Sequence, residues 1–327
     1  MTKKLKAIFV VAILFVVVLL KNLVFSDNSD VVTAVTSEVI SAVSKEVVDG
    51  REDSNKVDYD QQKIIALAPH VVEVLFDLGV GERIVATTEH SDFPAAALDI
   101  PRIGNYARLK IEQILAYQPD IIIAWRTGNP SDDLQRLEKL GLNIVYSDPV
   151  NLADVAKELR LFGKLTGRAA IAEQKAQSFE QSLNALQQKY QNKADIKVFY
   201  ELWSKPLTTV AKNAWPQQHL SICGARNPFI ELVNDYPQIN IEQIIVADPD
   251  LIIQPMSQGE PNPDAIDWQK FLQVNAAKHQ QLLQPNSDIL HRMSYRLLTE
   301  LELLCENIDN SRNYYQQLTV KTPNKVN

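Results

Sequence analysis

Apolar positions in this chain come in short runs separated by polar turns, and from Lys63 onward the runs alternate between strand-like and helix-like spacing. KIIALAP at 63–69 reads as a buried strand, VVEVLFDLGV at 71–80 as a helix, and RIVATT at 83–88 as a second strand. A loop rich in His, Ser, Asp and Pro then runs from Glu89 to Pro101. The segment Ile111 to Ile123, IEQILAYQPDIII, returns at Ile241 to Ile253 as IEQIIVADPDLII, with eight of thirteen positions identical at an offset of 130. Each copy predicts a short amphipathic helix, a Pro-Asp turn and a β-branched strand, so one αβ unit occurs twice.

Between the copies, 132–141 predicts a helix with Leu134, Leu137 and Leu140 at helical spacing, and NIVYSDP at 143–149 a strand. Asn151 to Leu165 reads as a further helix. Arg168 to Asn192 contains no Gly or Pro, and as a helix it extends about 37 Å. After it come a strand at KVFYELW (197–203), LTTVA at 207–211, a loop with Trp215 and Pro216, and a helix ending near Cys223 and Gly224. Closing helices are predicted over Asp264 to Ala277 and Tyr295 to Asn307. Alternating strands and helices imply mostly parallel sheets with helices on their faces. The expected fold is therefore α/β, with two Rossmann-like lobes joined by one long backbone helix and a ligand cleft between them.

Length agrees, since 327 residues suit two domains rather than one core. The expected divisions are a leader at 1–26, an acidic flexible tether at 27–60, an N-terminal lobe at 61–165, a connecting helix at 166–194, a C-terminal lobe at 195–315 and a disordered tail at 316–327. Lys3, Lys4 and Lys6 precede an apolar run from Ala7 to Leu20, the pattern of a secretory signal; a retained inner-membrane anchor is the alternative if Lys21 snorkels. Of the net charge of −7, the leader carries +4, the tether −6 and the body −5. A mildly acidic body argues against nucleic acid as a partner. Cys223 and Cys305 are the only cysteines, and in an oxidising compartment they read as a disulfide, with two buried thiols as the alternative.

Signs of catalysis are few. Gly79 and Gly81 begin a GxG, but Ile84 stands where the third glycine belongs, and no GxSxG, HExxH or phosphate-binding loop occurs. The Asp132-Asp133 pair opens a helix and reads as capping. The five histidines, at 70, 90, 219, 279 and 291, include no helical metal pair, so no metal site is expected. An exported α/β enzyme is the competing class, and no cofactor is expected.

Two lobes joined by one long helix, with PDxII strands in both, resemble the helical-backbone periplasmic binding proteins that feed ABC importers for cobalamin, siderophores and haem. Within that group, SDFP at Ser91 to Pro94, PDIIIAWRTGN at Pro119 to Asn129 and SDILHRMSYR at Ser287 to Arg296 are most similar to the cobalamin-binding members. The resemblance implies a monomeric body in the periplasm that carries cobalamin as cargo to the membrane subunits of an importer. It places Tyr106, Trp125 and Tyr236 against the corrin, with Trp203 and Trp215 as further aromatics and Asp288 and Arg292 as a polar pair at the ligand's edge. His90 stands where that group carries Tyr. Glu112 and Glu242, one per lobe, are implied as docking points for the importer, beside the simpler role of stabilising a helix N-terminus. A siderophore or haem receptor is the alternative of the same architecture; anionic chelates favour several converging Arg or Lys side chains, whereas a corrin edged by neutral amides favours aromatic plates and a few hydrogen bonds. The stiff connector predicts only modest lobe movement on binding.

Overall fold

The computed structural model describes residues 58–257, 259–260 and 262–321. The expected leader and all but the last three residues of the expected tether lie outside the described residues. Tyr59–Gln61 forms a 3-10 turn, and from Tyr59 the described residues form one packed unit. Strand β1 (Ile64–Ala66), helix α1 (Pro69–Asp77), β2 (Ile84–Thr87), α2 (Ile111–Tyr117), β3 (Ile121–Trp125), α3 (Ser131–Lys139), β4 (Ile144–Ser147) and α4 (Asp154–Leu165) make the N-terminal lobe. Its four-stranded sheet has the order β2-β1-β3-β4 and is parallel throughout.

Helix α5 (Ala169–Tyr190) connects to the second lobe, which contains β5 (Val198–Tyr200), β6 (Trp203–Ser204), β7 (Leu207–Thr208), α6 (Trp215–Ile222), α7 (Ile241–Ala247), β8 (Leu251–Ile253), α8 (Asn275–Lys278), β9 (Leu282–Leu283), α9 (Ser287–Leu290) and α10 (Leu297–Lys321). Strands β5, β8 and β9 form a parallel sheet in the order β5-β8-β9, while β6 and β7 pair as a small antiparallel hairpin. Among the described residues no helix is long and apolar enough to cross a membrane.

The period-two alternation of strands explains why the sheets are apolar on both faces. Ile64, Ala66, Ile121 and Ile123 face one core, whereas Ile65, Leu67, Ile122 and Ala124 face another under α2 and α3. In the second lobe Val198, Tyr200, Leu251 and Ile253 join the first of these cores, and Phe199 and Ile252 point away toward Trp268. One apolar core therefore runs through both lobes, carried by Ala172, Ala176, Phe179, Leu186 and Tyr190 of α5. At Gly163 the helices α4 and α5 approach so closely that an added Cβ would lie 2.2 Å from that of Ala172.

The internal repeat holds at the level of single hydrogen bonds. Asp120 accepts from the backbone N–H of Lys63 at 2.7 Å, and Asp250 accepts from that of Lys197 at 2.8 Å. Each thereby ties the turn before β3 or β8 to the residues leading into the neighbouring parallel strand. Both helices of the repeat end on a left-handed residue, Gln118 at φ 49° and Asp248 at φ 45°. They begin differently: Asn240 and Gln243 form a capping box on α7, while Lys110 gives α2 no side-chain cap.

Cys223 and Cys305 are joined in a buried disulfide that ties the end of α6 to α10 across 82 residues of sequence. Several expected boundaries change. Asp264 to Ala277 is not one helix: a 3-10 turn at Trp268–Lys270 and the short α8 are separated by an extended Val274. Side-chain caps explain the break, because Asp267 accepts from Gln269 N and Asp248 accepts from Asn275 N, which satisfies backbone groups outside a continuous helix. Of LTTVA, only Leu207–Thr208 is strand. The expected tail is helical as far as Lys321, because α10 continues past Asn307, with Ile308, Ser311 and Arg312 buried. Residues 322–327 lie outside the described part.

Candidate functional site

The carboxyl ends of the parallel strands are where open α/β sheets place ligands. In the N-terminal lobe these ends lead into α1, the loop after Thr87, Trp125 and the residues after Ser147. Trp125 is half-buried, and its ring lies so close to Gly128 that a Cβ there would come within 1.9 Å of the indole. Glycine at 128 is thus what lets the ring fold over its own loop. Asn129 fixes that loop, accepting from Trp125 N at 2.7 Å and donating to Leu67 O at 2.7 Å.

His70, the second residue of α1, meets Trp125 edge-on at 5.3 Å. Its Nε2 bonds to Ser147 Oγ at 2.8 Å, and that hydroxyl donates to Glu158 of α4 at 2.6 Å. Burial lowers the His70 pKa from 6.5 to about 3 and raises that of Glu158. In the second lobe burial lowers His219 from 6.5 to about 3, assisted by the nearby His291, and pushes the Tyr200 hydroxyl, bonded to His291 Nε2 at 2.8 Å, upward.

These neutral histidines make acid destabilising. Their folded pKa values lie below the unfolded value, so their stabilising contribution is complete above pH 6.5 and is lost as pH falls toward about 3. Each of the two is expected to reduce the unfolding free energy by about 1.4 kcal/mol per pH unit within that window. Urea unfolding at pH 7 and pH 5 measures it, and His219→Phe should flatten the dependence; a stability that rises on acidification would contradict the assignment.

The second lobe contributes a different set. Glu201, buried at the end of β5, accepts from Ser204 Oγ at 2.6 Å, Trp268 Nε1 at 2.7 Å, Gln254 Nε2 at 2.9 Å and Ile266 N at 3.1 Å. It thus binds the β6–β7 hairpin to the segment after β8. Trp203 stands on that hairpin with 57% of its surface exposed. Tyr236 is 45% exposed, and its hydroxyl lies 3.4 Å from Trp215 N. Tyr106 is 79% exposed at the tip of a turn held by Asn105, which accepts from Ala107 N and Arg108 N.

Trp215 departs from the expected role. Only 5% of it is exposed, its Nε1 donates to Leu290 O at 3.0 Å, and its ring sits edge-on to His219. As the first residue of α6, with Pro216 fixing the turn, it is directed into the core beneath α9 rather than onto the cleft surface.

The lobes are joined by ion pairs that the sequence did not disclose. Arg292 Nη1 donates to Glu73 Oε1 at 3.0 Å and to Asp92 Oδ1 at 2.5 Å, and its Nη2 donates to His90 O at 3.1 Å. Arg296 Nη2 reaches Glu73 Oε1 at 2.6 Å, its guanidinium covers the Phe93 ring at 3.9 Å, and Ser294 Oγ donates to Glu73 Oε2. Desolvation opposes the Arg292 charge, but the bonds to Asp92 and Glu73 prevail and raise its pKa. His90 is exposed and adopts a left-handed backbone, φ 65°, with its carbonyl toward Arg292. Asp288, on α9, accepts from Ser257 Oγ at 2.9 Å, and its carbonyl accepts from Arg296. One signal for the network was available: Glu73 is a lone carboxylate inside the apolar run Val71 to Phe76.

Glu112 and Glu242 are exposed and occupy the second position of α2 and α7, far from the ion pairs in sequence but equivalent within the repeat. Among the described residues no group of three or more His, Cys, Asp or Glu is placed to hold a metal. A surface pocket of about 460 Å³ bordered by Lys63, Glu82 and Arg83 lies near the amino ends of the strands, away from these residues.

Residues 64–284 match the model of a family described as periplasmic binding protein. A vitamin B12-binding protein of Vibrio campbellii is 33% identical over 251 residues, covering 77% of this chain and 90% of the relative. Among solved structures, the periplasmic vitamin B12-binding protein BtuF of Vibrio cholerae superposes with a TM-score of 0.70 at 32% identity, covering 77% of this chain and 98% of that one. The haem-binding protein BhuT, at 17% identity and a TM-score of 0.69 over 77% of this chain and 99% of its own, shares the fold. With the two α/β lobes, their parallel sheets and the long helix between them, these matches place the chain in the periplasmic binding protein family, in its helical-backbone class.

Proposed function

We propose that this chain captures cobalamin between its lobes in the periplasm and delivers it to an inner-membrane ABC importer, as a binding protein without catalytic activity. Trp125 carries the reading: a half-buried indole at the carboxyl end of a central parallel strand, set by Gly128 and braced by His70 and Asn129. A corrin offers a broad apolar face and neutral amide edges, which suit an aromatic plate with a small number of hydrogen-bonding groups. Tyr106, Tyr236 and Trp203 supply further exposed aromatic surface, and Asp288, Arg292 and His90 supply polar contacts. The likeness to vitamin B12-binding proteins across both lobes supports the same ligand. Glu112 and Glu242 present the loaded protein, acting as a monomer, to the importer's membrane subunits.

Trp125→Ala is expected to weaken cyanocobalamin binding by at least about tenfold, the usual cost of truncating a central aromatic contact. Titration of the variant and the parent checks this alongside thermal melts. Unchanged affinity in a folded variant would remove Trp125 from the site and, with it, the observation on which the reading stands.

A further inference from the structure

We infer that Glu73 and Asp92 set the ligand selectivity of the cleft, by neutralising two arginines that would otherwise attract an anionic ligand. This rests on the cleft reading above and deepens it. Arg292 and Arg296 lie four residues apart just after α9, so the second lobe brings two guanidiniums to the boundary with the first. Alone, they would form the converging basic pair that suits a carboxylate-bearing porphyrin or an anionic iron chelate.

They are not alone. Glu73 is 1% exposed and bonded to both arginines, and Asp92 closes over Arg292 from the more open side, with 37% of its side chain exposed. Two cations meet two carboxylates, so the cluster carries no net charge. For a ligand carboxylate to recruit either arginine, it must compete with Glu73, and separating that pair would leave a buried carboxylate without its cation. Lys175, which lies over the ring of Tyr295 beside Arg296, is already paired with Asp77 at 3.1 Å.

The neutralised arginine still offers directional bonds. Arg292 spends three N–H groups on Glu73, Asp92 and the His90 carbonyl, out of the five a guanidinium carries. The remaining donors suit neutral oxygens such as the amides around a corrin. Selection against anionic ligands thus comes from two acids on the first lobe, Glu73 in α1 and Asp92 in the loop after β2, acting through residues on the second. Both are positioning residues, and neither has to touch the ligand.

Asp92 is the more accessible of the two, with 37% of its side chain exposed against 1% for Glu73, so Asp92→Asn isolates the charge. The full chain, this variant and Asp92→Glu are titrated with cyanocobalamin and with haem at low and moderate ionic strength. In Asp92→Asn the ratio of haem to cobalamin affinity is expected to rise by at least about tenfold, with the gain shrinking as salt increases, and Asp92→Glu should retain the parental ratio. An unchanged ratio in folded Asp92→Asn overturns the inference. The parental chain tests it without any substitution: haem binding that rivals cobalamin and weakens with salt would reveal an unneutralised cation and overturn it as well. Failure of the parental chain to bind cobalamin would instead sink the cobalamin reading, and the response of haem affinity to Asp92→Asn would still decide whether Asp92 masks Arg292.

Discussion

Replacing Glu112 and Glu242 together by lysine is expected to abolish cobalamin uptake in cells while leaving cobalamin affinity in solution within about threefold of the parent. The two carboxylates stand in the first turns of α2 and α7, at equivalent positions of a repeat that the structure preserves down to the Asp120 and Asp250 turn bonds. Two equivalent charges, one on each lobe, match a partner with two-fold symmetry, and they can fix orientation and speed encounter without a large apolar interface. Their structural contribution is small. A carboxylate in an exposed first turn stabilises a helix by about 0.3–1 kcal/mol, so the double variant should fold. Uptake of labelled cobalamin by cells depending on the variant, paired with calorimetry on the purified protein, separates delivery from binding. Normal uptake would remove the docking role, whereas lost affinity would show that these residues shape the cleft.

Glu73→Ala is expected to destabilise the protein by about 3–5 kcal/mol, because it strips the common partner from Arg292 and Arg296 and leaves charge in a poorly hydrated place. For a body of this size that corresponds to a fall in Tm of roughly 10 °C. Loss of the Ser294 hydroxyl's acceptor adds to the cost. Glu73→Gln should be milder, retaining the hydrogen bonds but not the charge. Thermal and urea melts check both. A loss below about 1 kcal/mol for Glu73→Ala would mean that the pairing is solvated enough to behave as a surface salt bridge. The network also bears on motion, since it ties the lobes directly beside α5, whose Ser178 bonds to Tyr295 at 3.0 Å and whose Lys175 pairs with Asp77 of α1 at 3.1 Å. A shared core, a rigid connector and this cluster together oppose wide opening, and similar scattering profiles with and without ligand should follow.

The architecture was legible because it follows from periodicity. Unbroken apolar runs such as Ile64 to Leu67 and Ile121 to Ala124 are what a doubly covered parallel strand requires, and the repeated Pro-Asp turn marks the same bond in both lobes. The disulfide was legible from the secretory pattern at the start of the sequence and the count of two cysteines. Less legible were elements whose form depends on distant partners. The stretch Asp264 to Ala277 has helical composition, yet Glu201 takes the Trp268 indole and Asp248 takes the Asn275 N–H, and neither acceptor is close in sequence. Trp215 shows the same limit: an aromatic in a loop beside proline looks available until the Leu290 carbonyl and His219 are found around it. The Arg292 cluster assembles from residues about 200 positions apart, and only the misplaced polarity of Glu73 pointed to it.

The cleft is proposed to be built for cobalamin. Calorimetric titration of the purified body from Tyr59 onward with cyanocobalamin, haem and a ferric siderophore tests it most directly. Saturable one-to-one binding of cyanocobalamin below micromolar concentration, tighter than either competitor, is the predicted result. No cyanocobalamin binding in that range, with haem or the siderophore bound tightly by the same preparation, would contradict it.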